Sequence, residues 1–220
     1  MSVAVIIPVL GRPANAQKVV DSIWAASAHD VRILFLCSPG DHEQIEAVAA
    51  TGVALWIPPW PPGPGDYARK INLGFKMTED EFVFTAADDL KFHPGWDTAA
   101  VELAKETGRG VIGTNDLGNP SVKMGRHSTH SLVRRAYIEK QGGAWGERGT
   151  VYHAGYDHQC VDNELVEVAR ARDEWAFCWD SVVEHLHPLW GKSEKDATYE
   201  KALANGRADI RLFNERRRMA

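Results

Sequence analysis

The chain has 220 residues, 44% hydrophobic and 25% charged, which supplies a sizeable core and excludes a disordered or low-complexity polymer. Its formal net charge of -5 excludes a surface that is positive throughout, leaving room only for a local patch that could grip a polyanion. Cys37, Cys160 and Cys178 lack metal-ligand spacing and read as reduced thiols of a cytosolic protein. The opening MSVAVIIPVL carries no basic leader, and no apolar run approaches the roughly 18 residues that span a bilayer, so membrane insertion is not expected.

In chain order, Val3 to Leu10 is an apolar run that suits a central strand, and Gly11-Arg12-Pro13 turns it into a helical pattern through Ala26. Val31 to Cys37 predicts a second strand, Asp41 to Ala50 a second helix and Val53 to Ile57 a short third strand. This alternation predicts the α/β class with a doubly wound parallel sheet. The proline-rich segment PPWPPGPGD, 58–66, cannot be helix or inner strand; it reads as a stiff connector or as a rim over a ligand, with Trp60 available for stacking. Helical spacing resumes from Tyr67 to Lys76, and FVFTAADDLKFHP then reads as a strand ending in Asp88 and Asp89. Trp96 to Glu106 predicts a helix and Gly110 to Thr114 a strand. From Asn115 to Thr150 the pattern weakens into what reads as surface architecture around a site. Asp162 to Arg172 is helical again, Ala176 to Leu186 strand-like, and Asp196 onward helical with a basic ERRR end.

Three groups of residues carry chemistry. Paired carboxylates at the carboxyl end of a strand suit a divalent cation holding a phosphate, and equally suit the cap of a turn. Since neighbours on a strand face opposite ways, one acid should meet a metal directly; Asp89 takes that role, with Asp88 beside it. Glu184-His185-Leu186-His187 ends a strand with two histidines on one face, and imidazole beside carboxylate makes a mixed N/O site for manganese or a related ion. His185 is therefore joined to Asp89 as a metal ligand. The third group, CVDNEL at a helix start, keeps Asp162 ionised, which serves a helix cap or a proton acceptor alike. Lys123, Arg126, His127, His130, Arg134 and Arg135 make a basic stretch that reads as ordinary surface charge or as the face for an anionic acceptor.

Taken in order, these segments resemble the GT-A fold glycosyltransferases, most closely the family 2 type that transfers sugar with inversion. VAVIIPVLGRP looks like that family's first strand and turn, YARKINLGF like its Ala-Arg-Asn-x-Gly helix, and TAADDLKFHPGW like its acidic metal strand with Pro-Gly. VDNEL looks like its Glu-Asp-x-Asp-Leu segment and VEHLHP like its late metal-binding histidine. The resemblance implies a Rossmann-like, mostly parallel central sheet flanked by helices. Residues 1–114 would be the nucleotide-sugar half of a single domain and 115–220 a smaller acceptor-side lobe. It further implies Mn2+ or Mg2+ on Asp89 and His185, with Asp88 adjacent. Pro8, Leu10, Arg12 and Arg69 would lie around a nucleotide-diphosphate sugar, a UDP-sugar being favoured, and Asp162 would be the general base. This chain reads Ala-Asp-Asp where many relatives have Asp-x-Asp, has Val161 before the base where they have Glu, and offers only Asp41 for their uridine-binding Asp-Asp-Gly-Ser.

The small size resembles compact phage and bacterial glycosyltransferases, which implies a cytoplasmic enzyme whose acceptor is a glycan, a protein or a hydroxylated base in DNA. Two rivals remain: a sugar-phosphate nucleotidyltransferase, which normally carries a glycine-rich basic loop where this chain has LGRPAN, and a non-catalytic nucleotide-sugar or glycan-binding module.

Overall fold

The apolar run Ser2–Val9 forms β1, and its residues divide by parity between two cores. Val3, Val5, Ile7 and Val9 enter one core; Ala4 and Ile6 enter the other. A strand buried on both faces lies in the middle of a sheet, and β1 pairs in parallel with β2 (Asp30–Cys37) and β4 (Phe82–Thr85). Pro8 is tolerated because the β4 ladder ends at Ile6 opposite Thr85, so its missing N–H breaks no pairing on that side. The structure is a computed structural model that describes residues 2–194 and 197–220.

The sheet runs β3-β2-β1-β4-β7-β6-β8-β5, with β3 at Ala54–Trp56, β5 at Leu90–Phe92, β6 at Val111–Asn115, β7 at Ser131–Arg134 and β8 at Trp175–His185. Strands β3, β2, β1 and β4 form the parallel part; β7 is antiparallel to both β4 and β6, β8 is parallel to β6, and β5 is antiparallel to β8. One face carries α1 (Ala16–Ala26), α2 (His42–Ala50) and α4 (Trp96–Thr107); the other carries α3 (Asp66–Met77), α5 (Arg135–Gln141) and α6 (Val161–Ala171). Helix α7 (Ala197–Met219) adds Leu212 and Phe213 to the second core. The expected start of that helix at Asp196 lies outside the described residues.

The stretch from Asn115 to Thr150 differs most from expectation. Instead of surface architecture alone it supplies β7, the strand between β4 and β6, with Ser131, Leu132 and Val133 buried. Four residues, SLVR, preceded by polar HSTH and followed by Arg135, are too few to show a period. Both arginines serve the fold: Arg134 donates to the Ala104 carbonyl at 2.7 Å, and Arg135 donates to the Asp80 and Phe75 carbonyls at 2.8 and 3.0 Å. Neither is among the residues lining the cleft described below.

Candidate active site

Asp88 and Asp89 do not end a strand. Strand β4 stops at Thr85, and the acids occupy a turn before β5, which lets both carboxylates face the same way. The turn is clamped from below by Phe84, Phe92 and Trp96, whose ring centroids lie 4.8–5.6 Å apart in edge-to-face pairs. Arg12 Nη1 reaches Asp88 Oδ1 at 3.2 Å and Asp89 Oδ2 at 3.4 Å. Burial, with Asp89 alongside, nevertheless pushes the Asp88 carboxyl up to about 6, the arginine offsetting only part of this.

His185 comes to the acids through backbone pairing. Leu90 lies opposite His185 in the β5-β8 ladder, and the Leu186 N–H donates to the Asp89 carbonyl at 2.9 Å. His185 Nε2 is thereby held 3.5 Å from Asp89 Oδ2, a spacing that suits two adjacent ligands of one ion. Asp88 Oδ2 is buried without a hydrogen-bond partner among the described residues, as expected of an oxygen built to meet a cation. No cluster of three or more His, Cys, Asp or Glu residues forms a cage among the described residues. The donor set therefore fits a magnesium- or manganese-type ion that takes one or two protein ligands and completes its shell with phosphate and water. His187 packs its ring on His185 and accepts the Leu189 N–H at Nδ1; burial pushes it down to about 4.

Asp162 stands in the first turn of α6, after Cys160 has taken a left-handed backbone (φ 70°) at the helix cap. Its Oδ2 accepts from His127 Nε2 at 3.1 Å, and its Oδ1 accepts the Asn163 N–H at 2.9 Å. Burial would raise the carboxyl, but His127 and the Asn163 amide together hold it below the usual carboxylate range. Burial likewise opposes charge on His127, yet Asp162 lifts it above its ordinary 6.5. His127, known from sequence only as part of a basic stretch, is thus the partner that charges Asp162. His130, from the same stretch, is buried with Nδ1 on the Thr85 carbonyl at 2.8 Å and packs against His185.

A cleft of about 910 Å³ collects these groups. Of the residues singled out from sequence, Pro8, Leu10, Arg12, Asp88, Asp89, Asp162 and His185 line it. Arg69 and Asp41 do not. Arg69 lies over the Trp60 ring at 5.2 Å and pairs with Asp66 at 3.6 Å, so Trp60 is tied to the start of α3, with its Nε1 donating to Asp66 at 2.9 Å. Asp41 accepts the Gly11 N–H at 2.7 Å while Gln44 accepts the Arg12 N–H at 2.8 Å, so α2 fixes the turn and Arg12 does the reaching.

Helix α3 instead presents Asp66, Tyr67 and Lys70 to the cleft. Lys70 is buried, bonding the Val9 carbonyl at 2.9 Å, Ser38 Oγ at 2.6 Å and Asp66 at 2.8 Å; burial lowers its pKa although Asp66 pulls the other way. Helical phase could have found it, since Lys70 falls in the stripe of Ile71, Gly74 and Phe75 while Arg69 does not.

No family model matches the chain, and no curated protein matches it. Among solved structures, glucosyl-3-phosphoglycerate synthase from Mycobacterium tuberculosis, in complex with Mn2+, UDP-glucose and phosphoglyceric acid, superposes with a TM-score of 0.67 at 16% identity. That match covers 98% of this chain and 79% of the synthase. A mannosyltransferase from Pyrobaculum calidifontis in complex with GDP-mannose and Mn2+ gives a TM-score of 0.64 at 15% identity, over 83% of this chain and 56% of that one. The chain has the GT-A glycosyltransferase fold. In this GT-A chain the acidic turn, the late histidine and the α6 aspartate stand on three separate elements around one cleft. At these identities the likeness establishes the fold, and the activity has to be argued from the side chains.

Proposed function

We propose that the chain is a metal-dependent glycosyltransferase that moves a sugar from a nucleotide-diphosphate donor to an acceptor hydroxyl with inversion, Asp162 being the general base. One observation carries this reading: the Asp88-Asp89-His185 group and the His127-charged Asp162 line the same cleft, in a fold whose solved relatives were captured with Mn2+ and nucleotide sugars. Residues 1–114 supply the donor side and 115–220 most of the acceptor side. UDP-sugars are the first donors to test. A divalent cation held by Asp89 and His185, with Asp88 beside it, would neutralise the charge growing on the departing diphosphate.

The chain's own groups do the rest. Pro8 and Leu10 floor the nucleotide site, and Arg12 offers its guanidinium to the diphosphate oxygens. Asp162 is fixed in orientation by His127 on Oδ2 and the Asn163 amide on Oδ1, and its depressed pKa keeps it ionised at neutral pH. As the acceptor oxygen bonds to the anomeric carbon, the bond to the donor phosphate breaks, its electron pair leaves with the diphosphate, and the acceptor proton passes to Asp162.

The test is a panel of UDP- and GDP-sugars with Mn2+ and candidate glycan, protein and hydroxylated-DNA acceptors, read by mass spectrometry, with the product anomer assigned by NMR. Asp162→Asn should lower transfer by about 10²–10⁴-fold while UDP still binds. Normal turnover by that variant would remove Asp162 from the chemistry. Pyrophosphate release from a nucleoside triphosphate and a sugar phosphate would replace the reading with nucleotidyl transfer.

A further inference from the structure

Beyond Asp162, the outer part of the cleft is lined by Arg126 and Arg170. Arg170 lies two α6 turns after Asp162, with Val166 between them, so positions 162, 166 and 170 follow an i, i+4, i+8 stripe along the cleft wall. The α carbons at its two ends are about 12 Å apart along the helix. Side chains on a helix lean toward its N-terminus, which carries the Arg170 guanidinium back toward the aspartate. Its Nη2 stands 3.5 Å from the Gly125 carbonyl, immediately before Arg126, and its charge opposes protonation of His127.

The two guanidiniums are not neutralised in place. Neither Arg126 nor Arg170 is paired with a carboxylate among the described residues, whereas the third arginine of this wall, Arg217, pairs with Glu167. Asp162 is occupied by His127. Exposed arginines cost nothing when solvated, and two that line one cleft without a carboxylate partner leave it able to take an anion.

Resting on the glycosyltransferase reading, we infer that the acceptor carries an anionic group, a phosphate or carboxylate, which Arg126 and Arg170 hold while its hydroxyl lies at Asp162. The roughly 12 Å of helix between Asp162 and Arg170, shortened by the lean of the arginine toward the helix N-terminus, suits a small phosphorylated or acidic hydroxyl compound.

The experiment uses the whole chain saturated with UDP and Mg2+, so that the diphosphate site is filled, and titrates inorganic phosphate and, separately, acetate. Binding is followed by calorimetry and by NMR of the arginine Nε–Hε groups. Phosphate should bind saturably and shift the Arg126 and Arg170 signals, and Arg126→Gln/Arg170→Gln should weaken it by about tenfold or more while UDP affinity stays within about twofold. Stronger binding of acetate than of phosphate would assign a carboxylate as the recognised group. Unchanged phosphate affinity in the double variant overturns the inference, as does saturable binding of a duplex oligonucleotide with none of phosphate or acetate. If UDP binds neither protein, the donor reading fails instead, and the phosphate titration repeated without UDP still decides the subsite.

Discussion

Asp209 is predicted to hold the active-site loop in shape from a distance. This buried carboxylate on α7 accepts three successive backbone N–H groups, from Asp157 on Oδ1 at 2.7 Å and from His158 and Gln159 on Oδ2 at 2.9 and 2.7 Å. Those residues line the cleft and lead directly into Cys160 and Asp162. Asp209→Asn keeps the shape but offers one acceptor oxygen in place of two. In its better orientation it retains the His158 and Gln159 bonds and turns an NH2 toward the Asp157 N–H. Loss of one charge-assisted bond costs about 2–3 kcal/mol. At about 2–4 °C per kcal/mol for a chain of this size, Tm should fall by about 4–12 °C. Thermal and urea unfolding of the variant would be compared with Arg211→Ala, an exposed change on the same helix expected within about 0.5 kcal/mol of the parent. Donor turnover at a temperature where the variant is folded should show a lower kcat, because the loop that sets Asp162 has lost a tie. If Asp209→Asn unfolds with Arg211→Ala and turns over like the parent, the three-bond clamp is not what orders this loop.

Three further outcomes follow from the geometry. His127 is lifted above 6.5, so its stabilising contribution is complete below that value and is lost as pH rises through the lifted pKa; Asp162 is held below 3.8, so its contribution is complete above 3.8 and is lost as pH falls through the depressed value. His127→Gln should therefore cost about 1–3 kcal/mol between about pH 4 and 6.5 and less on either side, and a pH-independent difference in urea unfolding would contradict the ion pair. Lys70→Met breaks the buried contact with Asp66 and should cost about 3–5 kcal/mol; a double-mutant cycle with Asp66→Asn should show coupling of at least about 1 kcal/mol, and additivity would rule the contact out as a source of stability. Gly65→Ala puts a Cβ 2.2 Å from the Ala154 carbonyl oxygen at φ 72°, whereas Gly95→Ala meets the same backbone problem at φ 80° in open space. The first should lose at least about 1 kcal/mol more than the second in urea unfolding, and equal losses would show that only the backbone angle matters.

The parallel half of the sheet was legible because its strands are buried on both faces and read as unbroken apolar runs, with β1 the clearest. Strand β7 was hidden by its brevity and polar flanks, and β5 by being three residues long and following directly on the acids, where the strand pattern ends. At the site, Asp88, Asp89, Asp162 and His185 could be found because acids and imidazoles at strand and helix ends have a chemical signature. His127 and Lys70 were missed for different reasons. The first acts across the cleft from Asp162 in a loop without local pattern, where only a tertiary contact reveals it. The second stands beside Arg69 in sequence, and choosing between them needed the phase of α3 relative to the sheet. Asp41 shows the converse, an acid whose partner is a backbone amide of the turn.

Strand β8 pairs with β6 along its first part and, after a register shift near Asn115, with β5 along its last. Its far end brings His185 beside Asp89, so the two expected metal donors come from opposite halves of the chain and meet only when the last strand docks. Closing so long a loop is entropically slow, which makes this junction a late event in folding. A growing chain on the ribosome would carry its acidic turn for many residues of synthesis before acquiring the histidine, so this edge of the cleft takes shape only after the chain has grown well past that turn.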